Sequence, residues 1–134
     1  MVAMTQDRNT ARRERGLLQV LVAASAVIFA GSIVCVNAGG FAVEGDTDPD
    51  LIYMGRAEHA VDNTGGADGD VSVLVRNDST FQFANSAIDP VTQANLGMLC
   101  WVEDNQTVAA TDGTGTRSAC GRVVGIDSEG VWVE

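Results

Sequence analysis

Few stretches of this 134-residue chain place polar side chains at a spacing that chemistry could use. The single histidine, His59, follows Glu58, and a Ser-His-Asp arrangement could recruit such a base. No Gly-x-Ser-x-Gly elbow accompanies it, so His59 reads as a structural or exposed residue. Asp46, Asp48 and Asp50 have the spacing that opens an EF-hand calcium loop. The sixth position is Leu51 instead of Gly and the twelfth is Ala57 instead of Glu, so the ligand set is incomplete. The stretch 62–70, DNTGGADGD, carries the glycine pair and the final Asp70 of a calcium β-roll repeat. It puts Asp68 where glycine is wanted, and it occurs once, whereas such repeats need stacked neighbours. It reads as a flexible hairpin loop. Cys35, Cys100 and Cys120 are odd in number, widely spaced and free of any CxxC pair. That pattern predicts buried free thiols and neither zinc nor a disulfide framework. No phosphate-binding or dinucleotide glycine motif occurs. The expectation is a protein with no catalytic group, no metal and no cofactor.

Charge is more informative. The formal net charge is −10, from 18 acidic and 8 basic side chains, and every basic residue is arginine. Arg8, Arg12, Arg13 and Arg15 stand against Asp7 and Glu14 in the first 16 residues, which makes that segment +2 and leaves −12 for the rest. Residues 1–16 lack a hydrophobic pattern and read as an extended basic arm; residues 17–134 read as one β-domain. The asymmetry predicts an arm that reaches for an acidic partner, with Arg12, Arg13 and Arg15 as the docking candidates. An acidic body argues against direct contact with nucleic acid.

The elements that position these groups begin with the apolar run Leu17 to Val36. About 20 apolar residues can span a bilayer, and arginines before them fit an anchor or a signal peptide. The competing reading is β-structure, because seven of these residues are Val or Ile at β-branched positions, from Val20 to Val36. A recurring pattern favours strands. Residues 34–43, VCVNAGGFAV, align without gaps on 124–133, VGIDSEGVWV. Each is a short strand, a turn opening on Asn37 or Asp127, a glycine at Gly40 or Gly130, and a return strand. If residues 33–36 form a hairpin strand, the membrane run shrinks to roughly 14 residues, too short to span comfortably. The alternative keeps residues 17–29 as the anchor or signal of a membrane-tethered or exported β-domain.

Further strands are predicted in 51–61, with a break at Gly55, and in the alternating stretches 71–75 and 80–84. Residues 85–95 read as a loop or one short helical turn, and 96–111 as a hairpin turning near Asp104 and Asn105. Trp101 and Trp132 lie in alternating strands and are expected in the core or a subunit contact. Short strands separated by Gly and Asn/Asp turns predict an all-β fold, a small barrel or sandwich built from hairpins.

Three phrases and their order carry a family resemblance: VIFAGSIVCVNAGGFAV (27–43), MGRAEHAVDNTGGADGDVSVLV (54–75) and the whole of 89–134 from DPVTQANLGMLCWVEDNQ onward. Over residues 17–134 the chain resembles the capsid cement, or head decoration, proteins of tailed phages. The resemblance implies that the opening apolar segment is β-structure. It implies a non-enzymatic virion protein on the outer surface of an assembled capsid, made in the host cytoplasm, with no membrane contact. Its partners would be the major capsid protein and two further copies of itself in a homotrimer, stabilising the shell against internal DNA pressure. Phe41 and Trp132, on the matched hairpins, are the further candidates for subunit packing.

Overall fold

The structure is a computed structural model, and it describes residues 2–134. Twelve short strands follow one another: β1 Leu17–Leu21, β2 Val27–Ile28, β3 Ile33–Val36, β4 Ala42–Glu44, β5 Ile52–Ala57, β6 Val61–Asp62, β7 Ser72–Arg76, β8 Phe81–Asn85, β9 Leu99–Val102, β10 Thr107–Ala109, β11 Ala119–Asp127 and β12 Gly130–Val133. One 3₁₀ turn, Gln93–Asn95, lies between β8 and β9. The fold is all-β.

The strands form a five-stranded sheet in the order β1-β7-β5-β3-β4, a closed five-stranded barrel in the order β10-β8-β12-β11-β9, and a two-stranded β2-β6 ribbon. Every pair is antiparallel except β8 with β10 in the barrel. The open sheet curls on itself, since Val22 bridges Ala42 in parallel and the Ala23 amide donates to the Ala42 carbonyl at 3.0 Å.

Two hydrophobic cores result. The larger holds Phe81, Phe83, Cys100, Val102, Val108, Val123, Val131 and Val133 from the barrel together with Ile33 and Cys35. The smaller holds Val22, Ile28, Val34, Ala42, Ala57, Val73 and Val75. Successive side chains of a strand point to opposite faces. Strand β3 therefore sends Ile33 and Cys35 into one core and Val34 into the other, and all four of its residues are buried. It joins the two halves into one body.

The apolar run Leu17 to Val36 thus holds three strands, β1 to β3; Ile28 and all of β3 are buried, while β1 is partly exposed and packs Val20 against the smaller core. Among the described residues no helix is long and apolar enough to cross a membrane. Both matched segments are hairpins, β3–β4 and β11–β12. Two expectations need correction. Strand β5 continues through Gly55 and ends at Ala57, and residues 61–62 pair with β2 as a separate ribbon. The stretch 62–70 is not a hairpin loop, because β6 pairs with β2 while β7 pairs with β1 and β5. Nor is it loosely held. Asp68 accepts the Ala24 amide at 2.7 Å, and Asn63 donates to the carbonyls of Ala23 and Ala67. The polar groups that resemble a metal loop are the fasteners that close residues 23–24 over the smaller core.

Candidate interaction surface

The four arginines of the body sit in strands or beside them, and each faces a carboxylate. Arg56 on β5 and Arg76 on β7 are direct cross-strand neighbours. Two like charges so placed repel, and Glu58 lies between them. It accepts from Arg56 and, at 2.9 Å, from the Arg76 Nε. The hydrogen bond from Arg56, reinforced by Arg76, holds the Glu58 carboxyl below the usual range. Arg56 also stacks over Phe81, 4.7 Å from the ring centroid, and so ties the curled sheet to the barrel.

Arg117 is the most enclosed of the four, with its side chain 9 % exposed. It donates to Asp89 at 2.9 Å and to Glu103 at 3.4 Å. Thr111 donates to the same Asp89 oxygen and Ser86 to the same Glu103 oxygen. Asp89 is held below the ordinary carboxylate range, first by the Thr111 hydroxyl and then by Arg117. This network fastens three barrel loops. Arg122 pairs with Glu134 across the barrel surface, an exposed contact of small energetic weight.

The N-terminal segment is different. Residues 2–15 are exposed and carry no strand. Arg12 meets Glu14 at 3.5 Å with both side chains nearly fully exposed, a pair that contributes little. Among the described residues Arg8, Arg13 and Arg15 have no carboxylate partner. The body's arginines are neutralised within the fold, and among the described residues the arginines without a carboxylate partner all lie on the exposed segment.

The other sequence candidates fall in separate places. Phe41 is half-buried at the end of the β3–β4 turn, where Asn37 Oδ1 accepts its amide at 3.1 Å. Trp132 points outward from β12, 38 % exposed, and its indole N–H donates to Asp127 at 3.0 Å. Arg15 lines an open cavity of about 560 Å³ with Glu14, residues 77–80 and Glu134. The five residues Arg12, Arg13, Arg15, Phe41 and Trp132 do not form one site; they are spread over the arm, the curled sheet and the barrel wall.

The remaining chemistry is structural. His59 is exposed; its Nε2 accepts the Leu74 amide at 3.3 Å, which leaves Nδ1 to donate to the Ala60 carbonyl. Asp46 and Asp48 accept amides of their own loop. Among the described residues no three His, Cys, Asp or Glu side chains converge as a metal site. Cys35, Cys100 and Cys120 are free and buried in the larger core. Burial, with the Asp48 charge, pushes the Cys35 thiol up to about 12, and the Cys100 contact and burial raise Cys120 as well. Such thiols are protonated at neutral pH and poor nucleophiles.

Sequence reasoning missed a second cleft of about 260 Å³, lined by Phe29, Ala30, Gly31, Ser32, Asn105 and Gln106. Alternation around the buried Ile28 was the available signal that Phe29 faces outward. The apposition of the β2–β3 turn with the β9–β10 turn, 70-odd residues further along, had no signal in the sequence. No family model, curated protein or solved structure matches this chain.

Proposed function

We propose that this protein is a non-enzymatic structural component of a virus particle, a cement protein that binds the outside of an assembled tailed-phage capsid, as a homotrimer. The observation that carries the reading is the partition of charge. A compact acidic body pairs each of its own arginines internally, while Arg8, Arg13 and Arg15 stand free on an exposed segment ahead of β1. A protein that docks on a repeating acidic surface needs that layout: cations presented outward and a body that stays soluble through its net charge. Many copies on a symmetric lattice then gain avidity from individually weak contacts. Trp132 and Phe41 supply exposed or half-buried aromatic surface for packing between copies.

The test is co-sedimentation of the purified chain with capsid shells of the virus that encodes it, across a salt series. Stoichiometric binding is expected, weakening as salt rises. The full-length variant with Arg12, Arg13 and Arg15 all changed to Gln is expected to bind at least tenfold more weakly, with a flatter salt dependence. Absence of binding by the wild-type chain, or equal binding by the variant, would overturn the reading.

A further inference from the structure

The 260 Å³ cleft between the two halves of the body is lined by uncharged side chains whose oxygens can accept hydrogen bonds, those of Ser32, Asn105 and Gln106. Ser32 is 6 % exposed, lines the cleft, and its hydroxyl oxygen has no partner among the described residues. A buried hydroxyl without a hydrogen bond carries a desolvation penalty that a ligand can relieve. Asn105 uses its Nδ2 on Glu44, at 3.2 Å, which leaves its Oδ1 as an acceptor. The main-chain N–H and C=O of Gln106 are taken by Asp104 and Ala84, while its side-chain amide has no intramolecular bond. Phe29, 60 % exposed, forms the apolar wall.

Charge decides which ligand suits these groups. The Glu44 oxygen that holds Asn105 also accepts the Phe29 amide at 3.1 Å, so one carboxylate touches two lining residues. Among the described residues Glu44 has no arginine partner, and Asp104 sits next to Asn105 on the turn. An aromatic face, several neutral acceptors and an uncompensated carboxylate match a planar cation with five N–H donors and no acceptor.

We infer that this cleft is a receptor for a guanidinium group, and that the group is an arginine from the N-terminal segment of a second copy of the chain. The free arginines of the described residues are all in that segment. Within one chain it lies elsewhere: Glu14 and Arg15 line the other cavity, beside residues 77–80 and Glu134, and no residue before 29 lines this one. A contact from the segment of one copy to the cleft of the next is head-to-tail, the kind of interface that closes into a ring when its rotation permits. The inference deepens the proposed self-association and rests on it.

The probe is a synthetic peptide of residues 2–16, titrated into full-length ¹⁵N-labelled protein whose four segment arginines are changed to Gln. Saturable shifts are expected at the side-chain amides of Asn105 and Gln106. Phe29→Ala is expected to weaken binding about five- to tenfold, in line with a partly desolvated cation–π contact. Gln106→Ala, at an exposed position, gives a second reading should Phe29→Ala disturb folding. A peptide that does not saturate, shifts residues elsewhere, or binds both cleft variants like the parent overturns the inference. Wild-type mass by light scattering must also rise with concentration and fall to the monomer in the four-Gln variant. A wild-type chain that stays monomeric while the peptide binds would mean the segment returns to its own cleft, which overturns the second copy. Capsid shells are absent from both measurements, so failure here leaves co-sedimentation to judge shell binding by itself. Peptide binding without co-sedimentation would instead remove the capsid role and keep the cleft.

Discussion

The hairpins β3–β4 and β11–β12 each open their turn on a side-chain oxygen and differ in almost everything else; Val36 pairs with Ala42 across a longer loop, whereas Asp127 pairs directly with Gly130. In the first, Asn37 Oδ1 accepts the amides of Gly39 and Phe41. In the second, Asp127 Oδ1 accepts the amides of Glu129 and Gly130. The side-chain oxygen does the same work of closing the turn in both. Beyond it the two diverge. Strand β3 lies between two cores, whereas β11 is barrel wall with one face to solvent. Val34 is fully buried and its counterpart Val124 is 37 % exposed. Gly40 borders open space, while Gly130 lies against the Phe83 carbonyl of β8. A hairpin sequence specifies its own turn; its neighbours determine what each strand must endure.

The glycines break this symmetry most sharply. Both have positive φ, +82° at Gly40 and +153° at Gly130. An alanine at 40 meets nothing and bears only backbone strain, about 1 kcal/mol. An alanine at 130 would drive its Cβ into the Phe83 carbonyl, at a cost of roughly 3 kcal/mol. Urea unfolding of Gly40→Ala and Gly130→Ala should separate the two clearly; equal losses would mean that β8 yields to the added methyl.

The matched valines come next. Val34→Ala removes two buried methyl groups and leaves a cavity, so a loss of about 2 kcal/mol is expected. Val124→Ala should stay within about 0.5 kcal/mol, as for surface substitutions generally. Comparable losses would contradict the placement of β3 between two cores.

The smallest effect is in the turns themselves. Hydrogen bonds from the Trp132 indole and the turn amides hold the Asp127 carboxyl below the usual carboxylate range. A depressed folded value means that the stability it contributes is complete above the ordinary carboxylate pKa, near 4, and is lost as pH falls through the folded value. Asn37 has no such titration. The Trp132 Nε1–H resonance should therefore move in acid below pH ~4 while the amides of Gly39 and Phe41 stay still. Asp127→Asn should abolish that movement. A shift of the Trp132 signal centred above pH ~5 would show that Asp127 is not held low.

The same contrast shows how far the chain could be read in advance. The two hairpins, the alternating strands around Val73 and Phe83, and the turn near Asp104 are local patterns, and each lies within a residue or two of its expected place. The split of 51–61 was not legible. It depends on β2 recruiting residues 61–62, a pairing between segments more than 30 residues apart. The stretch 62–70 was misread for a related reason: its Asp68 and Asn63 bond to residues 23–24, which local spacing does not reveal. Of the interaction candidates, the exposed arginines were visible as a charge cluster. The cleft at Phe29 was not, because its other wall comes from the β9–β10 turn.

By itself the sequence determined the all-β class, the turns and the separation of a basic segment from an acidic body. Period-two hydrophobicity, Asn and Asp at turn openings, and charge are properties of neighbouring residues. Only the tertiary structure decided that one sheet closes into a barrel while the other curls, that β8 and β10 run parallel, and that β3 is buried on both faces. Those outcomes follow from which distant apolar faces exclude water together, and that free energy belongs to pairs of strands rather than to any one of them.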